Sequence, residues 1–361
     1  MASLFKTPLL RHEWFVACAE AFCPPGKLSV MIGHDQGTIV AIAPLVLNPS
    51  FGSARFELLG TAILSEPSGL LYRSSGALND MLDSILRLRK PIYFKGLFSD
   101  SPELRYLRET RRPRLAYSRS LRSASPWIPI ETSWEKFSSG ISSSWRSNLR
   151  RAQRRAEEFG AVQFEFVVPQ AESVETLVQE VFHVESAGWK SRTQTALESI
   201  ASLRKFFIAY TKSAATLGTL RLAFLRIDGK AVAAQLLVEY ANRLWVLKVG
   251  YDEAYSRCSP GILLMHRVIQ KSFEQGHEGF ELLGANESWM DIWRPQLHTH
   301  ETLRRYPISP GPIVSHGLEF SVDVFKRVQT IARKDKNKGV LRSIARKVVS
   351  RIRRARQPME H

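Results

Sequence analysis

The most constraining feature of this sequence is an ordered series of segments between residues 218 and 284. Three apolar, strand-like segments are separated by the turn sequences Asp228-Gly229-Lys230 and Ala241-Asn242-Arg243, a spacing typical of an antiparallel meander. The strands are predicted at 219–227, 231–240 and 244–251, a helix at 262–275 and a last strand at 280–283. Because the helix interrupts the meander, this order predicts a mixed sheet with helices packed on it.

The predicted helix at 262–275 begins directly after Ser259-Pro260-Gly261. The first turn of a helix presents backbone N–H groups without partners and the positive end of the helix dipole, so it can bind an anion. Pro260 has no N–H to lose at this position, and Gly261 permits a ligand to approach the backbone closely. Taken alone, such a helix start more often has no ligand, and the surrounding segments must decide between the two interpretations.

The rest of the sequence contains two further groups of predicted elements. The whole chain has 361 residues, which is more than one hydrophobic core usually holds. In the first group, helices are predicted at 11–22, 77–89 and 102–110, and strands at 28–32, 38–47, 55–59, 69–72, 92–94 and 115–117. In the second, a helix is predicted at 145–159, a strand at 162–168 and helices at 172–187 and 196–216. We therefore expect two α/β domains.

The net charge of +17 is unevenly distributed along the chain. From Phe320 onward, thirteen Lys and Arg residues face three acidic residues, so this tail carries +10 and the first 319 residues carry +7. Phe320, Val324 and Val328 follow one helical face of the tail. The tail is either a solvated basic helix docked on the core or a segment that adsorbs to anionic lipid; nucleic acid ranks third because interleaved aromatic residues are missing.

A second basic segment is the predicted helix at 145–159. Its positive charges surround most of its circumference and are Arg146, Arg150, Arg151, Arg154 and Arg155. Two interpretations stay open: a solvated helix face, or a wall that binds anions beside a substrate or phosphate groove.

Cysteine use and targeting signals indicate the compartment. Cys18, Cys23 and Cys258 match no zinc or disulfide spacing, which suits a reducing cytoplasm. The N-terminal residues lack the pattern of a signal peptide, and the longest apolar run, at 231–238, is far below the roughly 18 residues of a membrane span. We expect a cytoplasmic protein, peripheral to the inner membrane if the tail binds lipid, and no metal, because His298 and His300 have no third ligand nearby.

Five short motifs follow one another down the chain and together carry a family resemblance. They are Trp145-Arg146-Ser147-Asn148-Leu149-Arg150-Arg151-Ala152, Gly188-Trp189-Lys190, Val232-Ala233-Ala234-Gln235-Leu236, Lys248-Val249-Gly250-Tyr251-Asp252-Glu253-Ala254-Tyr255 and Ser259-Pro260-Gly261. This set resembles the GNAT-fold acyltransferase family associated with bacterial cellulose and exopolysaccharide biosynthesis, a relative of the Fem peptidoglycan transferases. The resemblance is specific from about Trp145 to Gly284.

The resemblance implies an α/β (α+β) fold with tandem GNAT-like halves, whose mixed, largely antiparallel sheets are flanked by helices. A degenerate N-terminal half would occupy 1–130, an acyl-CoA-binding half 131–310 and a basic amphipathic tail 311–361. The implied co-substrate is acyl-CoA, with acetyl-CoA first. Its acyl and pantetheine groups would contact Lys248, Val249 and Gly250, and its pyrophosphate would contact Ser259, Pro260, Gly261 and Ile262.

The implied reaction is direct transfer of the acyl group to an amine or hydroxyl of an exopolysaccharide or cell-envelope precursor. An ammonium acceptor must lose a proton before it attacks a thioester, so a base within reach of the strand ends is needed. Asp252, Glu253 and Glu281 are the candidates, although a salt bridge is the commoner role for a carboxylate at such a position. Tyr251 or Tyr255 could protonate the departing CoA thiolate or simply pack as aromatic residues.

Acceptor binding has its own candidates. Trp189 and Lys190 follow a predicted helix end, and Gln235 lies in an apolar strand where a buried amide needs a polar partner. After Gly284 the sequence departs from the family, whose members often carry a Tyr-Lys pair in this region, and Glu287 and Trp289 are the candidates in its place.

Two other functions stay open. One is Fem-like aminoacyl transfer from aminoacyl-tRNA to a peptidoglycan precursor, in which the basic segments would bind RNA. The other is a non-catalytic protein that binds a membrane surface or nucleic acid through a transferase scaffold.

Overall fold

The structure is a computed structural model, and it describes residues 4–50, 53–110, 116–170, 172–188 and 200–307. The strands, in chain order, are β1 Leu28–Asp35, β2 Thr38–Ser50, β3 Ser53–Leu58, β4 Leu71–Tyr72, β5 Ile92–Phe98, β6 Ala116–Pro129, β7 Val162–Val167, β8 Leu220–Ile227, β9 Lys230–Tyr240, β10 Arg243–Tyr251, β11 Gly279–Glu281 and β12 Gln296–Pro307. The α-helices are α1 His12–Phe22, α2 Thr61–Leu64, α3 Ser75–Arg87, α4 Pro102–Glu109, α5 Trp134–Ser139, α6 Ser143–Glu157, α7 Val174–Ser186, α8 Ala201–Thr216 and α9 Pro260–Glu274. The predicted tail at 311–361 lies outside the described residues.

All the described strands belong to one mixed sheet. Their order is β1-β2-β3-β5-β12-β6-β11-β10-β9-β8-β7, and β4 pairs with β2 outside this path. The pairs β3/β5 and β10/β11 are parallel, whereas the other pairs are antiparallel. The predicted mixed, largely antiparallel α/β architecture is confirmed.

A strand–helix–parallel strand unit occurs once in each half of the chain. In the first half α3 lies between β3 and β5 along the chain, and in the second half α9 connects β10 to β11. The meander β8-β9-β10 precedes the second unit, as the turn sequences predict, and its strands end within one residue of the predicted positions.

The strand predicted at 115–117 continues much further than the sequence suggests. It forms the start of β6, which runs to Pro129 and pairs with β12 over twelve residue positions, from Gln296–Trp127 to Pro307–Ala116. On its other edge β12 pairs with β5, so a strand from near the end of the described chain lies inside the sheet between two N-terminal strands. The two halves therefore share their central strands.

Three hydrophobic clusters stabilise this sheet. One lies under α3 and α4 in the N-terminal half, and a second packs α6 and α9 against β8–β11. The third packs α1, α7 and α8 on the opposite face of the C-terminal strands and includes Trp14, Phe206 and Tyr210, whose rings contact one another at centroid distances of 5.0–5.8 Å. Helix α1 thus connects the N-terminal segment to the C-terminal half.

Candidate active site

The two parallel strands β10 and β11 separate partway along their length. They pair only from Arg243–Gly279 to Trp245–Glu281, whereas β10 continues to Tyr251. A β-bulge between Val246 and Lys248 changes the register of β10 against β9 at the same level. A bulge bends a strand and increases its twist, so β10 diverges from β11 and leaves a V-shaped opening.

Helix α9 begins at this opening with a capping arrangement that leaves its first turn available. Ser259, the residue before the helix, has a left-handed backbone (φ 49°), and its side chain makes no capping hydrogen bond. The N–H groups of Ile262 and Leu263 donate to the Ser259 carbonyl at 3.0 and 3.2 Å, and Pro260 has no N–H. The Gly261 N–H is therefore the group of the first turn that can point at a ligand.

The corresponding helix of the N-terminal half is capped differently. Ser74 precedes α3 with an extended backbone, and its hydroxyl accepts from the Ala77 N–H at 3.2 Å. The start of α3 is thus satisfied by its own side chain, whereas the start of α9 is not. This difference places the candidate anion site in the C-terminal half.

A cavity of about 370 Å³ extends from the opening between the strands to the start of α9. Its walls come from the end of α7, from β9 and β10, from the first turns of α9 and from the loop after β11. The predicted residues that line it are Gln235, Val249, Gly250, Ser259, Gly261, Ile262, Glu287 and Trp289. The structure therefore brings together most of the predicted cofactor residues and three of the predicted substrate residues.

Gln235 lies in the wall of this cavity with an unsatisfied acceptor. The side chain is 1% exposed, and its Nε2 donates only to the Met265 sulfur at 3.7 Å. Within the described residues its Oε1 has no hydrogen-bond partner. A buried amide oxygen without a donor costs free energy, so a ligand N–H in the cavity would find an acceptor already in place.

The carboxylates that follow β10 do not line the cavity. Asp252 accepts from Lys230 Nζ at 2.8 Å and from the Ala254 N–H at 3.0 Å. Partial burial acts to raise the pKa of Asp252, but the Lys230 ammonium, the Ala254 N–H and the charge of His183 together hold this pKa below its usual value. Asp252 thus behaves as an ionised salt-bridge partner at the start of a 3₁₀ helix.

Glu253 and Tyr255 also lie outside the cavity, in the 3₁₀ helix Glu253–Cys258. The Glu253 N–H donates to the Ala187 carbonyl at 3.3 Å. Tyr255 packs against Phe159 at a centroid distance of 5.1 Å, and the Lys230 ammonium lies 5.1 Å from its ring. Its contacts are those of a packing aromatic residue.

Glu281 lies in a different cavity, of about 700 Å³, on the other side of the β10/β11 pair. It is 2% exposed, it accepts from Arg243 Nη1 at 2.7 Å, and its other oxygen lies 3.4 Å from His298 Nε2. The His298 ring stacks on Trp127 at a centroid distance of 4.6 Å. The segments 67–69 and 100–103 of the N-terminal half complete this second cavity, which lies between the halves.

The remaining predicted site residues have separate surroundings. Lys248 follows the bulge, and its ammonium lies 5.2 Å from the Phe207 ring on the α8 side of the sheet, away from the first cavity. Pro260 is buried as the first residue of α9. Trp289 donates to the Glu287 carboxylate at 2.9 Å at the cavity rim. Trp189 and Lys190 lie outside the described residues.

The basic helix α6 lies beside the start of α9. Arg155 Nη1 donates to the Arg257 carbonyl at 3.3 Å, two residues before Ser259, and Arg257 pairs with Glu158 at 3.0 Å. Arg151 and Arg154 are exposed on the same helix. The positive charge predicted for this helix is therefore next to the candidate anion site.

Glu185 is an acidic cavity residue that was not predicted. It is 1% exposed at the end of α7 and lines the first cavity together with Tyr251, which was a candidate acid. It continues the buried stripe of α7 formed by Val174, Val178 and Val181. An acidic residue at a core position of an amphipathic helix is the sequence signal that identifies it.

Comparison with known proteins gives a family for this region. Residues 143–290 match the model of the acetyltransferase (GNAT) domain. The matched GNAT domain spans α6 to the loop after β11, and so contains the opening between the strands, the start of α9 and every described residue that lines the first cavity. No curated protein sequence gives a significant match.

Solved structures share the fold over most of the chain. The C-terminal domain of a putative lysylphosphatidylglycerol synthetase from Agrobacterium fabrum has 14% identity and a TM-score of 0.53, and the match covers 83% of this chain and 89% of that one. FemX has 11% identity, a TM-score of 0.54 and coverage of 84% and 92%. A conserved protein of unknown function from Bacteroides thetaiotaomicron has 9% identity, a TM-score of 0.54 and coverage of 85% and 93%. The GNAT domain is thus one part of a larger shared fold.

Within the described residues, no group of three His, Cys, Asp or Glu side chains is placed to hold a metal ion. No helix in the described ranges combines the length and hydrophobicity that crossing a bilayer requires.

Proposed function

We propose that this protein transfers an acyl group from acyl-CoA directly to an amine or hydroxyl acceptor. The observation that carries the proposal is the cavity that runs from the opening between β10 and β11 to the uncapped start of α9. A thioester tail fits the narrow, largely apolar end between the strands, and a pyrophosphate fits the Gly261 N–H and the positive end of the helix dipole.

The groups along the cavity would suit successive parts of acyl-CoA. Gln235 Oε1 offers an acceptor to an amide N–H of the pantetheine arm. The backbone of Val249 and Gly250 borders the position of the thioester, where an N–H can stabilise the tetrahedral oxyanion. The arginines of α6 lie beside the phosphate end.

We propose acetyl as the first acyl group to test, and an exopolysaccharide or cell-envelope precursor as the acceptor class. The acceptor class rests on the motif set from Trp145 to Gly261, which resembles the transferase family of cellulose and exopolysaccharide biosynthesis. Direct attack in a ternary complex is the proposed mechanism, and no cysteine lines the described part of the first cavity.

A second candidate is aminoacyl transfer from aminoacyl-tRNA. The shared fold with FemX and with the lysylphosphatidylglycerol synthetase domain favours it, as does the positive charge of α6. The uncapped start of α9 favours CoA, since that site is suited to a compact pyrophosphate.

Calorimetry with CoA tests the proposal, and the two strand–helix units supply a matched pair of variants. Gly261 and Gly76 are each the second residue of their helices. A Cβ at Gly261 would lie 3.3 Å from the Tyr251 ring inside the cavity, whereas a Cβ at Gly76 has only Ser74 Oγ nearby, at 3.8 Å. We expect micromolar CoA binding, at least about tenfold weaker binding for Gly261→Leu and unchanged binding for Gly76→Leu.

The outcomes separate the candidates. A wild-type chain that binds aminoacyl-tRNA but not CoA would replace the first function by the second. If both variants are folded by circular dichroism and Gly261→Leu binds CoA as tightly as wild type, the pyrophosphate does not bind at the start of α9.

A further inference from the structure

The segment after α2 brings a carboxylate of the N-terminal half to the end of β11. The Gly284 N–H donates to Glu66 Oε2 at 3.4 Å, between residues 218 positions apart in the sequence. Gly284 comes three residues after the last residue of β11, where this strand has separated from β10. Glu66 is thus the acidic side chain that the first half presents at the opening between the strands.

The backbone on both sides of this contact adopts rare conformations. Ser65, directly before Glu66, is left-handed (φ 64°), and Leu283 and Gly284 are both left-handed on the other side (φ 54° and 60°). Non-glycine residues with positive φ cost free energy and concentrate at functional sites. Two independent turns with this conformation meet at the carboxylate of Glu66.

The backbone of Glu66 is held in place by β5. Gly96 has a φ of 81°, and a Cβ there would lie 2.7 Å from the Glu66 carbonyl oxygen. The Ser68 N–H donates to the Gly96 carbonyl at 3.0 Å, which holds the segment after Glu66 against β5. Gly96 therefore permits a close approach that fixes where Glu66 lies.

Charged groups from two further strands face this carboxylate. The ammonium groups of Lys95 on β5 and Lys248 on β10 both act on it, and Lys95 Nζ also donates to Ser65 Oγ at 2.7 Å. Desolvation of the partly buried Glu66 raises its pKa to about 7, against the opposing effects of the Gly284 N–H, Lys248 and Lys95. A carboxyl group with this pKa exchanges protons at neutral pH.

The second cavity reaches the chain neighbours of this contact, although Glu66 and Gly284 do not themselves line it. Its lining includes Pro67 and Leu283, the immediate chain neighbours of Glu66 and Gly284. A molecule that enters between the halves can therefore approach the opening between β10 and β11 from the face opposite to α9. In the proposed function the first cavity holds the donor, and the second cavity would lead the acceptor to the donor's thioester.

We propose that Glu66 is the general base of the acyl transfer, supplied by the N-terminal half to the site in the C-terminal half. The inference rests on the proposed function. Glu66 takes one proton from an ammonium acceptor, and the freed amine attacks the thioester carbonyl carbon. The C–N bond forms, the C–S bond breaks, CoA leaves as a thiolate and takes the second nitrogen proton, and Glu66 returns its proton to solvent. The charge of Lys248 beside the carboxylate favours its ionised form.

The test uses acetyl-CoA with two nucleophiles that differ in their need for a base. Water must lose a proton to attack, whereas hydroxylamine is already a neutral nucleophile at pH 7. For Glu66→Gln we expect at least about a hundredfold slower hydrolysis, and hydroxylamine-dependent release of CoA within about threefold of wild type. The wild-type hydrolysis rate should rise with pH to a plateau above about pH 7, and Glu66→Gln should lose this limb.

Three further measurements separate a base from a structural carboxylate. Formate should restore hydrolysis to Glu66→Ala, because it can replace the missing carboxylate. Glu109→Gln, at an exposed carboxylate at the end of α4, should behave as wild type. Because the folded-state pKa of Glu66 is raised, its ionisation destabilises the fold as pH rises through 7, so the melting temperature of Glu66→Gln relative to wild type should increase from pH 5 to pH 8.

The results that overturn the assignment differ from those that overturn the proposed function. If the wild type binds CoA but Glu66→Gln hydrolyses acetyl-CoA with the wild-type rate and pH profile, Glu66 is not the base. If the rise of the hydrolysis rate with pH is lost in Glu185→Gln instead, the general base is the Glu185 carboxylate in the first cavity. A wild type that binds CoA and turns over neither probe counts against Glu66 as well, whereas absence of CoA binding rejects the function itself.

Discussion

At Gly250, strand β10 and helix α7 lie in close contact in the wall of the first cavity. A Cβ at this position would lie 2.6 Å from the Glu185 Cα and 2.8 Å from its Cβ. Since the nearest Glu185 atom is part of the backbone of α7, this clash cannot be relieved by rotating a side chain. Gly250 thus lets β10 and α7 approach each other at the level where the cavity opens, and it has this role without a left-handed backbone.

The substitution Gly250→Ala should destabilise the protein and increase the separation of β10 and α7 in the cavity wall. We expect a loss of about 1–3 kcal/mol in the free energy of unfolding, because the added methyl group pushes α7 away from β10, and a weaker affinity for CoA. Gly279→Ala is the matched control in a neighbouring strand, since its Cβ would meet Trp127 at an ordinary 3.4 Å. Urea unfolding and calorimetry measure both effects. Equal stabilities of the two variants would show that α7 and β10 are not held in close contact at Gly250.

At the scale of elements, short sequence patterns correctly predicted the turns of the meander and the start of a helix. The turn sequences around Gly229 and Asn242 predicted the meander, and Pro260 with Gly261 predicted the start of α9. These features need only backbone preferences over a few residues. The same local signals gave Gln235 as a residue in need of a partner, and the structure leaves its Oε1 unsatisfied in the cavity wall.

Features that depend on distant contacts were not predictable from local patterns. Glu66 was not a candidate, because its contact with Gly284 joins two halves of the fold. Glu281 was a candidate base because it lies on the strand next to the cofactor strand, but its partners are Arg243 and His298 in the second cavity. Alternation along a strand does not specify which of two cavities a side chain enters, since that depends on the neighbouring half.

Helix α6 gives a test at the scale of an element. If its arginines contact the phosphates of CoA, the double variant Arg151→Gln/Arg155→Gln should weaken CoA binding by about fivefold, equivalent to about 1 kcal/mol for two charge pairs near the surface. The loss should shrink as salt is raised, because exposed charges are screened. It should also be smaller for dephospho-CoA, which lacks one phosphate group.

A charge-matched control distinguishes this contact from a general effect of net charge. Lys90→Gln/Arg105→Gln removes two positive charges in the N-terminal half, one of them from the exposed surface of α4. We expect CoA affinity within about twofold of wild type for this variant. If both double variants weaken binding equally, α6 acts through the overall field of the protein and makes no specific phosphate contact.

At the scale of the whole molecule, β12 makes the two halves one structural unit. It pairs with β5 on one edge and β6 on the other, and its buried Arg305 donates to the carbonyls of Leu107 at 2.6 Å and Thr110 at 3.0 Å. The halves therefore cannot separate without breaking central strand pairs. This arrangement permits a residue such as Glu66 to be held at a fixed distance from a site in the other half.

The sequence from Phe320 onward carries most of the net positive charge. Its thirteen Lys and Arg residues, interspersed with apolar residues at helical spacing in the sequence, would suit adsorption to an anionic bilayer. A transferase held at that surface would meet acceptors that are themselves attached to the membrane. We therefore expect the chain truncated after Ile331 to lose binding to phosphatidylglycerol vesicles while it keeps its affinity for CoA.

Sedimentation with vesicles of two compositions measures this prediction. The full chain should bind vesicles that contain phosphatidylglycerol and not those of pure phosphatidylcholine, and added salt should release it. A full-length variant with Arg342, Arg346 and Arg351 changed to Gln retains the apolar residues and isolates the contribution of charge. We expect intermediate binding, since each basic residue near an anionic surface contributes about 1 kcal/mol. Full binding by the truncated chain would locate the membrane contact in the first 331 residues, and the α6 arginines would then be the surface to examine.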